Sequence, residues 1–204
     1  MGAAEDAVDA LRSGRPVILP TDTVYGLCAS PFREGDVRTL YRLKGRPETQ
    51  PTALLCSDLD QLFECLPALP GRARRIARSL FPGPYTLVFP NPSRSYRWLT
   101  GSHPETIGVR VPALEGDARR VLAEVGAVAA TSANAPGGPE PRRIEDVPER
   151  IRRECGAVID GGELPGTPST VIDVTGREPK VLREGAVPSA EALERVRAAV
   201  APRD

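Results

Sequence analysis

Of the 27 basic residues in the chain, only Lys44 and Lys180 are lysines. A compact, strongly hydrated ammonium and a planar guanidinium recognise anions differently, so a lysine kept in so arginine-biased a sequence marks a place where a point charge is wanted. Arg46 follows two residues on. In an extended segment positions i and i+2 point the same way, and Lys44 and Arg46 would then present a point charge and a planar fork to one anion. An ordinary surface lysine is the alternative. Ser132-Ala133-Asn134 follows the apolar run Val128-Ala129-Ala130-Thr131, which places polar side chains at the carboxyl end of a strand, where α/β sheets commonly bind ligands. The same residue types also form plain turns. Thr21-Asp22-Thr23 and Ser169-Thr170 repeat the theme of hydroxyls at strand ends. Arg110 and Arg183 sit in apolar runs, Ile107-Gly108-Val109-Arg110-Val111-Pro112 and Val181-Leu182-Arg183. A buried guanidinium needs an anionic partner, either an internal carboxylate or a ligand.

Other chemistries find no foothold. The chain has no Gly-x-x-x-x-Gly-Lys-Ser/Thr loop, no Gly-x-Gly-x-x-Gly after a strand and no Gly-x-Ser-x-Gly elbow. His103 is the sole histidine, so a Ser-His-Asp triad or a histidine-rich metal site would depend on it. Its polar loop, Thr100 to Pro104, reads as surface. Cys28, Cys56, Cys65 and Cys155 lack the short paired spacing of zinc sites and read as reduced, mostly buried thiols.

These residues must be positioned by the elements around them. Apolar spacing predicts an amphipathic helix over 1–13, then helices over 34–43, 72–80, 117–124, 144–154 and 190–199. Strands are expected at 16–20, 52–56, 85–89, 106–111, 127–131, 157–160, 170–174 and 181–183. Lys44-Gly45-Arg46-Pro47 ends the second helix, which places both cations just past it. Several strands follow one another too closely for helical crossovers. The expected fold is therefore α/β, with an open mixed parallel and antiparallel sheet. The stretch 133–143, rich in proline and glycine, is long for a connection and suggests a functional loop.

A length of 204 residues fits one domain, 1–204. Apolar residues at 40% and charged residues at 26% indicate a folded soluble protein. No apolar run approaches a membrane span, no secretory signal opens the chain, and a cytoplasmic location is expected. Formal net charge is zero, so any contact with a polyanion must come from local patches. Arg72, Arg74, Arg75 and Arg78 form the best such patch, although a run of this kind is usually a solvated helix face.

Taken in order, Pro20-Thr21-Asp22-Thr23-Val24-Tyr25-Gly26-Leu27, Lys44-Gly45-Arg46-Pro47, Phe81-Pro82-Gly83-Pro84-Tyr85-Thr86-Leu87, Val109-Arg110-Val111-Pro112, Ser132-Ala133-Asn134 and Ser169-Thr170-Val171-Ile172-Asp173 with Leu182-Arg183 resemble the YrdC/TsaC family, the L-threonylcarbamoyladenylate synthases. The resemblance implies a twisted open sheet around a concave, positively lined cavity, in the short form without an extra C-terminal domain. It also implies a reaction, in which L-threonine, bicarbonate or CO2, and ATP give threonylcarbamoyl-AMP and pyrophosphate. A separate transferase complex then modifies tRNA, whose contact with this chain would be indirect or weak.

Carried over by position, the resemblance implies that Thr23, Tyr25, Arg110, Ser132 and Ser169 hold the threonine or its carbamate. It implies likewise that Lys44, Arg46, Gln50, Thr106, Asn134, Arg142 and Arg183 contact ATP, with Lys44 and Arg46 catalytic and Mg2+ bound through the nucleotide phosphates. Many members carry histidine at the position of Leu55. Two other readings stay open, a YrdC-like paralogue with other carbamoyl-adenylate chemistry and a non-catalytic RNA-binding module.

Overall fold

The computed structural model describes residues 2–201; Met1 of the expected first helix and the expected domain end at Asp204 lie outside them. The strands are β1 (Val17–Pro20), β2 (Tyr25–Ala29), β3 (Ala53–Cys56), β4 (Tyr85–Pro90), β5 (Thr106–Arg110), β6 (Ala127–Ser132), β7 (Ala157–Val158), β8 (Thr170–Asp173) and β9 (Lys180–Arg183). They form one sheet in the order β7-β1-β2-β6-β3-β5-β4-β8-β9. Pairs β1–β7, β3–β5 and β4–β8 are parallel, and the other five are antiparallel. The open mixed sheet expected from the short connections is thus the fold observed.

The helices are α1 (Ala3–Arg12), α2 (Glu34–Lys44), α3 (Leu59–Cys65), α4 (Gly71–Leu80), α5 (Gly116–Val125), α6 (Glu149–Glu154) and α7 (Ser189–Val200). Side-chain alternation sorts them between the two faces of the sheet. Tyr25, Leu27, Leu54, Leu87, Phe89, Val109 and Ile172 point to one face, where α2, α3, α4, α6 and α7 cover them in a large core. Val17, Leu19, Cys28, Leu55, Val128 and Ala130 point to the other, under α1 and α5. This second covering is partial. On β4, β5 and β8 the residues between the core positions are Thr86, Val88, Thr106, Gly108, Val171 and Asp173. They join neither core and line an open concavity.

Four local differences from the sequence pattern have physical causes. β2 is not anticipated, because all five of its residues are buried and a strand covered on both faces shows no alternation. α3 has only seven residues; Asp58 caps it by accepting the Gln61 amide at 2.8 Å. The helix expected over 144–154 is instead a single 3-10 turn, Ile144–Asp146, and α6, with extended Val147 between them. Pro148 disfavours helical backbone at the residue before it. β7 stops at Val158 rather than 160.

A fifth difference bears on the site. Lys44 is the last residue of α2 rather than part of an extended segment. Gly45 adopts φ 67° and ψ 35°, and its amide and that of Arg46 close back on Arg42 and Tyr41 carbonyls at 3.1 and 3.0 Å. This left-handed helix end turns the chain between the two cations, so they do not project as i and i+2 of a strand. A Cβ added at Gly45 would meet only Pro136 Cγ, at an ordinary 3.6 Å. Gly45→Ala therefore tests conformation alone. It is expected to cost ~1 kcal/mol and to lower Tm by ~2–4 °C; an unchanged thermal unfolding midpoint would show that this turn carries no strain.

Candidate active site

The concavity is a cavity of about 540 Å³ on the incompletely covered face, well within the ~300–1,000 Å³ usual for small-molecule sites. β4, β5 and β8 form its floor, the carboxyl ends of β1 and β6 one wall, and Leu182 and Arg183 of the edge strand β9 the other.

Arg110 ends β5 and is only 7% exposed. One terminal nitrogen donates to Asp22 Oδ1, and both donate to Thr23 Oγ1 at 3.2 Å. The other Asp22 oxygen accepts the Ala113 amide at 3.2 Å. Thr21 Oγ1 donates to the Val24 carbonyl at 2.7 Å and lies 3.0 Å from Thr23 Oγ1. Its single proton being used, the hydroxyl proton of Thr23 goes to Thr21 and the lone pairs of Thr23 face Arg110. Arg110 Nε is buried without a partner. Burial pulls the Arg110 pKa down; the Asp22 carboxylate opposes this and the Arg183 cation adds to it.

Arg46 donates to Pro51 O at 2.7 Å, Gln50 Oε1 at 2.9 Å and Thr131 Oγ1 at 3.2 Å. Burial lowers its pKa, and Arg183 pushes in the same direction. Arg183 in turn donates to Ser169 O at 2.8 Å and Ser169 Oγ at 3.2 Å, and that hydroxyl lies 2.8 Å from Thr86 Oγ1. Three guanidiniums thus converge on one cavity closely enough for Arg183 to disfavour the charged forms of both others. Such an arrangement suits an anionic ligand.

Lys44 does not line this cavity. Its ammonium donates to Ser132 O at 2.7 Å, to Asn134 O at 2.6 Å and to Asn134 Oδ1. All three protons are placed. Ser132 Oγ donates to Asn134 Oδ1 at 2.7 Å, and Asn134 Nδ2 donates to Gly138 O at 2.7 Å. Lys44 therefore ties the β6 end to the following loop. Burial pushes its pKa down to about 8, against the pull of Glu140.

Of the residues singled out by sequence, Thr23, Arg46, Thr106, Arg110, Ser132, Ser169 and Arg183 come together at the cavity. Gln50 and Asn134 support its wall through Arg46 and Lys44. Tyr25 points away, its phenol donating to Gly162 O at 2.8 Å and accepting the Gly161 amide at 2.9 Å. Arg142 is exposed and paired with Glu163 at 2.8 Å. His103 is exposed as expected, 3.3 Å from Glu105, and stands on the cavity rim. Thr86, Glu140, Asp173 and Leu182 also line the cavity without having been anticipated; for Thr86 the signal is the alternation Tyr85-Thr86-Leu87-Val88-Phe89.

The arginine patch on α4 serves the fold. Arg72 donates to Val174 O and Arg177 O, Arg74 to Leu69 O and Pro67 O, and Arg74 and Arg78 stack over Phe63 at 4.6 and 4.8 Å. No helix among the described residues is long and apolar enough to cross a membrane.

A protein of Pyrococcus abyssi named threonylcarbamoyl-AMP synthase is 37% identical over 187 residues, 91% of this chain and 54% of its own length. A protein of that name from Stenotrophomonas maltophilia is 36% identical over 77% of this chain and 85% of its own. The crystal structure of P. abyssi Sua5 complexed with L-threonine superposes with a TM-score of 0.84 at 35% identity, over 97% of this chain and 57% of that one. The chain thus spans little more than half of the Pyrococcus relatives. The model of the Sua5/YciO/YrdC family, described as Telomere recombination, matches residues 9–185, and with this fold and cavity the chain belongs to that family.

Proposed function

We propose that the chain is a threonylcarbamoyl-AMP synthase, forming threonylcarbamoyl-AMP and pyrophosphate from L-threonine, bicarbonate or CO2, and ATP. The observation that carries this reading is the convergence of Arg46, Arg110 and Arg183 on one cavity, in a chain related to proteins named for that activity. N-carboxylation of threonine creates a carbamate, and its oxygen attacks the α-phosphorus of ATP. The new O–P bond forms as the bond to the pyrophosphate oxygen breaks, and negative charge moves onto the leaving group.

No nucleophilic side chain is required. The chain contributes positioning and charge placed where charge develops. Arg110, held by Asp22 and Thr23, anchors the threonine-derived carboxylate with its unpartnered Nε. Arg46 and Arg183 face the phosphates, and Ser169 and Thr86 supply hydroxyls between the two ends. Lys44 acts through the Ser132–Asn134 turn. Among the described residues no three His, Cys, Asp or Glu side chains gather to hold a metal ion, so Mg2+ would enter on the nucleotide. The product would supply a separate threonylcarbamoyl transferase acting on tRNA.

Pure protein is expected to release pyrophosphate only when ATP, bicarbonate and threonine are all present; release independent of threonine would overturn the reading. Arg46→Ala and Arg110→Ala should each lower kcat/KM by at least ~10²-fold, measured in the same assay.

The Lys44 pKa of about 8, against an ordinary 10.5, separates activity from stability. Above pH 8 the neutral amine has one proton fewer for its three acceptors, and turnover should fall with a midpoint near 8. Between about 8 and 10.5 the folded state binds fewer protons at Lys44 than the unfolded chain, so this group's contribution to stability rises with pH. Parallel pH profiles of turnover and of urea unfolding check both signs. A flat alkaline activity profile would remove Lys44 from any role that needs its charge.

A further inference from the structure

The cavity is lined by three carboxylates that phosphate binding does not explain, Glu105, Glu140 and Asp173, and of these Glu140 alone has a buried oxygen, Oε2, without a hydrogen-bond partner among the described residues. A carboxylate in a site for a triphosphate and a carbamate repels both, and an orphaned buried acceptor is rare enough to require a reason. Pro139 and Pro141 flank it and restrict the backbone on either side. The Tyr25 amide donates to Pro141 O at 3.0 Å, which fastens the Glu140 segment beside Thr23 and Val24. Val24, Thr23 and Arg110 line the same cavity. An amino acid enters as a zwitterion. Among the described residues Arg110 Nε and Glu140 Oε2 are the two buried unpaired polar atoms on side chains of this lining, a donor of the kind an α-carboxylate needs and an acceptor of the kind an α-ammonium needs. The Lys44 ammonium, on which Glu140 acts electrostatically, has all three protons on Ser132 O, Asn134 O and Asn134 Oδ1, so it does not satisfy Glu140.

We propose that Glu140 is a catalytic residue, receiving the α-ammonium of the amino acid and acting as the base that frees its lone pair. This deepens the proposed synthase reading and rests on it. An ammonium has no lone pair and cannot attack carbon. Glu140 Oε2 takes one proton; the amine lone pair forms the N–C bond with CO2 while one C–O π pair moves onto oxygen. The second ammonium proton then passes to water, leaving a carbamate anion and protonated Glu140. Attack on the α-phosphorus follows without further use of Glu140, which returns its proton to solvent. A placed base of this kind is worth ~10²–10⁴ in rate.

The test uses the full chain and its Glu140→Gln variant, nearly isosteric and still an acceptor but no base. Two reactions are compared. The forward reaction from threonine, bicarbonate and ATP includes the carboxylation. The reverse adenylyl transfer, ATP formation from threonylcarbamoyl-AMP and pyrophosphate, breaks only the O–P bond before the carbamate is released. Glu140→Gln is expected to lower forward kcat by ~10²-fold or more and to raise KM for threonine, while the reverse rate stays within about threefold. Glu140→Asp should recover part of the forward rate. Equal loss in both directions would overturn the proposal in favour of a structural or phosphate-side role, as would an unchanged forward rate. Failure of the parent protein to consume threonine is a separate outcome, which removes the synthase reading itself.

Discussion

A guanidinium buried at the end of a central strand constrains much of this architecture. Taking Arg110 out of water costs several kcal/mol unless it is paired and hydrogen-bonded. The pairing comes from Asp22 and Thr23, which lie on the short turn between β1 and β2 and reach it only because β2 doubles straight back along β1. β6 then pairs with β2, and β3 with β6. β5, which carries Arg110, pairs with β3. The strand order therefore brings residues about ninety positions apart in sequence to one end of the sheet. Asp22 also accepts the Ala113 amide, fixing the chain where it leaves β5.

The cavity follows from uneven covering of the sheet. Helices α1 and α5 pack on one half of the second face, against β1, β2, β3 and β6, and among the described residues no helix covers the half formed by β5, β4 and β8. Sequence pattern matches this division. Positions 86, 88, 106, 108, 171 and 173 are small, polar or singly apolar, whereas the opposite face of the same strands carries Leu87, Phe89, Ile107, Val109 and Ile172. A helix laid over such a polar surface would bury groups it could not satisfy. The open half-face is thus encoded in the residues themselves.

Much of this was legible in the sequence where it depended on local pattern. Strand ends carrying Thr23, Ser132 and Ser169, and cations within apolar runs at Arg110 and Arg183, converge as their positions suggested. Less legible was anything set by three-dimensional closure. The Lys44 and Arg46 pair reads as one bidentate grip, yet the left-handed Gly45 sends Lys44 to the carbonyls of β6 and leaves Arg46 at the cavity. Tyr25 lies in a block of polar residues but its strand neighbours turn it into a peg for Gly161 and Gly162. Glu140 gives no periodic signal, because its loop has no period and is placed by hydrogen bonds such as Tyr25–Pro141 and Asn134–Gly138.

The distribution of charge completes the physical picture. With formal net charge zero, the molecule cannot gather anions from a distance, so recognition must come from a few charges with weakened solvation. Arg46 and Arg110 are partly or wholly withdrawn from water, and Arg183 pushes on both. Their interaction with an anion is correspondingly stronger than at an exposed surface. Arg142, by contrast, stays outside on an exposed, solvent-screened pair with Glu163. Its Nε also donates to Leu164 O at 3.3 Å. Burial and position therefore divide the cations: Lys44 is buried away from the cavity, Arg46 and Arg110 are desolvated at it, and the exposed Arg183 completes its wall.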